Sequence, residues 1–244
     1  MNMGLFMAES LKWRRTWSLR LLLFTPFVTV VLAYVLLPSN IIQQGAYNWW
    51  YVFMLPGVIA ISASLMVRRE KKQYYQSLYL QPFSISRIWK SKIGTFIFLT
   101  FMTSMLFFIA SAWSGWGIDD MVAWWRYAVA SVVIWISCWW QLPYCFFLGA
   151  RFGTSLTMLI HWVGGLGFGL ALAEHPLWWL TPYSVLLRLM CPLIQLRPNG
   201  LVLSDDHILT DTFVIFPGIL ILLICFFVLT ILTEKWFEKQ GGRK

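Results

Sequence analysis

An all-α polytopic membrane protein with six transmembrane helices is predicted by three observations. Hydrophobic residues make up 59% of the 244 and charged residues only 12%, against about 25% charged in a soluble domain. Six stretches approach the roughly 20 apolar residues that a bilayer crossing needs; they lie near 21–37, 50–67, 93–112, 127–148, 156–173 and 213–232. The cations are asymmetric: of the nineteen Lys and Arg, all but Arg126, Arg188 and Arg197 fall in the N-terminal segment, the 68–92 loop, Arg151 and the C-terminal tail. Backbone inside hydrocarbon must bond to itself, so the six stretches are read as helices. Basic loops stay in the cytoplasm, which places both termini there and makes the span count even. Asp119, Asp120, Glu174, Asp205, Asp206 and Asp211 follow the opposite pattern.

The chain reads as one membrane domain over 1–244, with no stretch left for a separate soluble one. Residues 5–18, LFMAESLKWRRTWS, precede the first span and are not one themselves. At helical spacing Phe6, Trp13 and Trp17 share a face, with Glu9, Lys12 and Arg15 opposite. That pattern predicts an interfacial amphipathic helix, tryptophans at headgroup depth and cations toward the cytosol. A plain basic anchor that sets topology would carry the same charges. The basic start leads straight into a span with no small-residue cleavage site after it, so it is not expected to be a removed signal.

The 68–92 loop, RREKKQYYQSLYLQPFSISRIWKSK from residue 68, separates two nearly pure hydrocarbon runs. Tyr75, Leu78 and Tyr79 follow the i, i+3, i+4 pattern of one helix face. Pro82 ends such a helix near Gln81, and Ser84 or Ser86 can cap the next span. Attraction to anionic lipid, about 1 kcal/mol per cation, accounts for the cations but not for the aromatic face, which suits a protein groove.

Between the last two spans, PLWWLTPYSVLLRLMCPLI (176–194) is too apolar for a free loop and too broken by Pro176, Pro182 and Pro192 for a straight span. Irregular backbone at membrane depth needs protein or a water-filled cavity around it. A re-entrant helical hairpin in the outer leaflet is predicted; a seventh span would put the basic tail outside, against the charge rule.

The motifs of chemistry are missing. The chain has no G-x-x-x-x-G-K-[ST] phosphate loop and no H-E-x-x-H. Asp119–Asp120 and Asp205–Asp206 are adjacent pairs in outer loops. His161, His175 and His207 lack ligand spacing; Glu174–His175 reads as a solvated turn rather than a metal site. The four cysteines, Cys138, Cys145, Cys191 and Cys225, lack metal spacing and read as buried small hydrophobes. Catalytic, cofactor and metal sites are therefore not expected. The glycine-rich HWVGGLGFGLA (161–171) lies in a span without the preceding strand that a dinucleotide fingerprint requires. Gly165 and Gly169, four apart, fit close helix packing, with a flexible gating point as the alternative. No Asp, Glu, Lys or Arg lies in the middle of a span, where ion-driven transporters keep ionisable groups. Among titratable groups other than cysteine, only His161 lies well inside a span, and it is expected to be a hydrogen-bonded core residue. Any uphill work needs energy from another protein.

The order of features (N-terminal helix, two spans, basic cytoplasmic helix, four more spans, broken outer hairpin before the last) resembles the ABC-2 type permeases over essentially the whole chain. SLKWRRTW at 10–17, NWWYVFMLPG at 48–57 and EKKQYYQSLYLQPFSISRIWKSK at 70–92 are similar to the MutE/EpiE type permeases of lantibiotic-immunity ABC transporters. The resemblance implies a subunit of a bacterial cell-membrane exporter that removes a cationic antimicrobial peptide from its producer's membrane. It implies two copies of a separate ATPase, which carry ATP and Mg, and a second homologous permease; no nucleic acid is expected. It also implies that the family's coupling helix falls on 70–81, with Lys71, Tyr74, Tyr75, Leu78 and Tyr79 as the ATPase-docking residues. Trp49, Trp50, Trp178 and Trp179, with Asp119, Asp120, Glu174, Asp205 and Asp206 nearby, form an expected outer substrate surface, although an aromatic belt is the default explanation of such tryptophans. A permease for another amphipathic or lipid-linked substrate, and a membrane scaffold or sensor, remain open alternatives.

Overall fold

The computed structural model describes residues 3–72, 83–114, 122–204 and 207–241. Among them there is no strand, only an isolated antiparallel bridge between Leu196 and Val202. Five helical segments are long and apolar enough to cross a membrane, six when one bent pair counts as a single span. The protein is a multi-pass helical bundle.

The N-terminal helix α1, Met3–Trp13, is shorter than the sequence predicts. Arg15 sits in the left-handed region (φ 59°), and Thr16 accepts a hydrogen bond from the Leu19 N–H at 3.1 Å, capping α2, Trp17–Leu36. Trp17 therefore belongs to a different helix from Phe6 and Trp13 and does not share their face. It is 68% exposed whereas Trp13 is 2% exposed. The turn chemistry of Arg15–Thr16 overrides the helical period that the aromatic spacing suggests.

The next segment is one nearly continuous helix over 39–71, of which 78% of the apolar window is buried. It comprises α3, Ile42–Trp49, a π-helical turn over Trp50–Met54, and α4, Leu55–Lys72. Pro56 has no N–H to donate to the carbonyl four residues back, so the wide turn just before it is where the ladder adjusts. The span thus starts about two turns earlier than 50, through the polar IQQGAYN. Those polar groups are met by protein. Gln44 Nε2 donates to Ile194 O at 3.0 Å, and Asn48 Nδ2 donates to the Tyr51 hydroxyl at 2.9 Å and to Pro198 O at 3.2 Å.

Helix α5, Ile85–Ser114, starts directly after Ser84 and has 30 residues. At 1.5 Å per residue it is about 45 Å long, well beyond a hydrocarbon core of about 30 Å. Its first turns, carrying Arg87, Lys90 and Lys92, form a separate packing surface at the basic end. The predicted fourth span is two helices, α6 (Trp124–Ser137) and α7 (Gln141–Phe152), bent by 42°. Pro143 in the first turn of α7 lacks the N–H that would continue the ladder, and the Cys138–Trp140 turn replaces it. Gly153 (φ 85°) makes the sharp turn into α8, Thr154–Trp162. A π-helical stretch, Val163–Gly169, and the short α9, Leu170–Ala173, complete that span.

The 176–194 segment differs from the helical hairpin expected of it. A 3-10 turn, Trp178–Leu180, leads to one helix, α10, Pro182–Ile194, with Thr181 as its N-cap and every residue from Ser184 to Ile194 buried. Gln195 turns the chain in the left-handed region (φ 52°). The return is extended, held by the Leu203 N–H on Gln195 O at 2.9 Å and the Arg197 N–H on Leu201 O at 2.8 Å. Gln195 and Gly200 (φ 89°) both turn the chain through the left-handed region, the latter inside the loop that the Leu196–Val202 bridge closes, so the return is not a second helical arm. The last span is α11, Ile215–Gly241.

Candidate functional site

A cluster of charged residues gathers at the end of the bundle that carries Glu9, Glu70 and Lys92. Helices α1 and α5 run side by side in the same direction with a constant offset. Leu5 meets Ile88, Glu9 meets Lys92, and Trp13 meets Phe96, whose ring centroid is 4.9 Å away. The spacing of four on both helices gives one continuous stripe, with an ion pair between two apolar contacts. Phe6 adds an edge contact to Phe98 at 6.0 Å. The N-terminal helix is thus fastened along α5 rather than resting on lipid alone.

Four charges form the centre of this end. Lys92 bonds the Glu70 carboxylate and lies 3.4 Å from Glu9 Oε2. Lys12 approaches Glu9 Oε1 at 2.5 Å and Glu70 Oε1 at 3.6 Å. Lys92 is fully buried, Glu9 is 1% exposed and Glu70 is 6% exposed. The helical period puts Glu9 on the cytosolic face; it faces inward instead, because Lys92 on α5 provides a buried counter-charge. Two carboxylates and two ammonium groups balance, which is the condition under which buried charge is tolerated.

The same end is tied laterally. Lys71 Nζ donates to Ala150 O near the end of α7 at 3.0 Å, meeting a carbonyl in the last turn of that helix. Arg68 NH1 donates to Thr154 Oγ1 at 3.4 Å, reaching α8. Lys90 Nζ lies 3.9 Å from Glu234 on α11. Tyr74, Tyr75, Leu78 and Tyr79 lie outside the described residues, but the helices that lead into and out of 73–82 are both fixed in this network. Lys71, assigned with them to docking, directs its ammonium to the bundle.

At the opposite end the expected outer surface is only partly assembled. Asp119, Asp120, Asp205 and Asp206 lie outside the described residues. Trp50 is not on a surface: it is fully buried and stacked on Phe107 at 4.6 Å with 4° between the rings. Successive residues on a helix of 3.6 residues per turn stand about 100° apart, so Trp50 points inward while its neighbour Trp49 is half-buried. Trp178 is half-buried and Trp179 is 51% exposed. Glu174 pairs with Arg197 NH1 at 3.6 Å, and Arg197 NH2 donates to His207 Nε2 at 2.9 Å. Arg188, grouped by sequence with the loops, is only 7% exposed and donates from NH2 to Ile208 O at 3.2 Å. A cation inside the apolar run 176–194 was the available signal.

His161 is a buried, hydrogen-bonded core residue, as its isolation in a span suggests. Its Nδ1 lies 3.1 Å from the Tyr183 hydroxyl and 3.8 Å from Cys145 Sγ. Close packing at the glycine-rich stretch falls on Gly164, where a Cβ would lie 2.5 Å from the Tyr183 ring, while Gly165 and Gly169 have ordinary van der Waals neighbours. The π-helical turn has more than 3.6 residues, so positions counted on an α-helix shift around the axis. Another close approach has no signature in the sequence: a Cβ on Gly149 of α7 would lie 2.5 Å from the Ser64 backbone on α4.

No protein-family model, curated protein or solved structure matches this chain.

Proposed function

We propose that this chain is the membrane-spanning permease subunit of an ATP-driven exporter of the ABC-2 type. Its cargo in this reading is a cationic, amphipathic antimicrobial peptide of the lantibiotic class, taken from the outer leaflet of a bacterial cell membrane and released outward. Two copies of an ATPase and a second permease complete the assembly. The observation that carries the reading is the clamp of Glu9, Lys12, Glu70 and Lys92. It joins α1, the helix entering the 73–82 segment and the helix leaving it, so a force applied to that segment from the cytoplasm reaches three helices at once. Tyr75, Leu78 and Tyr79, which the sequence period places on one helix face, would supply the surface on which an ATPase pulls. At the other end, the exposed ring of Trp179 offers aromatic contact to a cationic peptide, while the carboxylate of Glu174 is already paired with Arg197. Exposed ion pairs are worth only about 0–1 kcal/mol, so recognition would rest mainly on aromatic contact within lipid.

Co-expression of this chain with its ATPase and partner permease in a sensitive host is expected to raise the lantibiotic concentration tolerated. An ATPase variant unable to hydrolyse ATP should abolish the gain. Equal protection with the inactive ATPase would mean sequestration or signalling without transport. The absence of any protection would remove the lantibiotic assignment.

Orientation is tested separately. With the native cysteines removed, Gln76→Cys and Gln240→Cys should be shielded from an impermeant thiol reagent in intact cells, and Asn199→Cys should be labelled. Labelling at position 240 would place the basic tail outside and require an odd number of spans.

A further inference from the structure

A groove of about 470 Å³ runs between α5 and α11 at the basic end of the bundle, within the range of about 300–1,000 Å³ typical of small-molecule sites. Its walls are apolar: Ile93 and Ile97 on one helix, Phe226, Phe227 and Ile231 on the other. Gly94 contributes no side chain to fill it. Thr230 also lines it but directs its hydroxyl to Phe226 O on its own helix at 2.7 Å, so the wall presents no unmet polar group. Phe227 and Ile231 of its wall are exposed, as is Val228 beside them in sequence, which marks this flank as bilayer-facing.

The rim has a different character. Lys90, Glu234, Lys235 and Glu238 close the end of the groove, with Lys90 and Glu234 already paired across it at 3.9 Å. Two cations and two carboxylates at the end of an apolar channel match one kind of ligand. We infer that this groove is a binding site for a single zwitterionic phospholipid with a primary-amine headgroup, a phosphatidylethanolamine. One of its two acyl chains lies between α5 and α11, its phosphate meets Lys90 and Lys235, and its ammonium donates to Glu234 and Glu238. A phosphatidylglycerol headgroup carries hydroxyls beyond its phosphate but no cation to offer the two carboxylates. A choline headgroup carries the positive charge but no N–H to donate. The bound lipid would bridge α11 to the helix that carries Lys92 of the buried ionic clamp.

The test is competitive binding to the full-length purified chain, read by native mass spectrometry, with the ethanolamine, glycerol and choline phospholipids of identical acyl chains. Phosphatidylethanolamine should be retained as one molecule per chain, with about a tenfold preference over phosphatidylglycerol, the scale of one charge-assisted hydrogen bond. A double Glu234→Gln, Glu238→Gln variant changes only the rim and should lose the preference while still retaining lipid. Gly94→Phe should abolish retention. Equal retention of all three headgroups by the native chain would overturn the proposal, leaving ordinary boundary lipid. So would a chain that holds no lipid and forms a dimer disrupted by Gly94→Phe, since the groove would then receive a helix of a second copy.

Discussion

Replacing Lys92 with alanine is expected to destabilise the chain by about 3–5 kcal/mol, the usual cost of stranding buried partners of an ion pair. Lys92 is fully buried, and its ammonium is the central cation for both Glu70 and Glu9, themselves 6% and 1% exposed. Without it, Lys12 is left to serve two carboxylates, and its side chain is 30% exposed. The readout is the unfolding midpoint in detergent, measured by the loss of a single monodisperse peak on heating. The same variant should expose α1 to protease, because the ion pair is the middle contact of the α1–α5 stripe. A triple variant, Lys92→Met with Glu9→Gln and Glu70→Gln, should recover most of the midpoint, since it removes the buried charges together and the remaining Lys12, with its side chain 30% exposed, reaches solvent. If Lys92→Ala alone melts with the native chain, the cluster is solvated in the membrane-embedded protein and does not fasten α1.

Gly149→Ala should push apart two closely packed helices. The added Cβ would lie 2.5 Å from Ser64 Cα and 2.6 Å from Ser64 Cβ. Backbone cannot swing aside as a flexible side chain does, so α4 and α7 must separate. Overpacking of this kind costs about 1–3 kcal/mol, and Gly149→Val should cost more. Small residues at a helix interface within a membrane act by letting backbones approach. Ser64→Gly removes the side chain of residue 64 but leaves its backbone in the way, and is therefore not expected to rescue Gly149→Ala. Gly167→Ala provides the control: nothing lies within 4 Å of the place its new methyl group would occupy, and its midpoint should match the native chain. Full rescue by Ser64→Gly would show that side-chain bulk, rather than backbone proximity, sets the distance between these helices.

The two substitutions mark different limits of legibility. Gly149 lies in an ordinary LGARF sequence, and only the position of Ser64 on another helix makes its missing side chain necessary. Lys92 was visible as one of seven cations in the 68–92 loop, but nothing local separates it from Lys90, which is largely exposed. Its burial depends on α1 bringing Glu9 to the matching position. The 73–82 segment shows the reverse case: its aromatic face is evident in the sequence, while its residues lie outside those the structure describes.

Hydropathy and charge determined what can be determined one segment at a time: an all-helical multi-pass chain, the approximate places of its spans, and the basic character of one set of loops. The cost of unbonded backbone in hydrocarbon makes helix the only available state for such segments, whatever their neighbours. Tertiary structure decided which polar residues could enter the bundle and which way individual side chains face. Gln44 and Asn48 extend the second span because carbonyls at Ile194 and Pro198 receive their amides. Trp50 turns inward because the Phe107 ring on another helix receives it in a stack. Glu9 faces inward because Lys92 waits on another helix. Each of these depends on a partner or a backbone adjustment that hydropathy does not register, and desolvation makes the presence or absence of a polar partner worth more than the residue's own hydropathy.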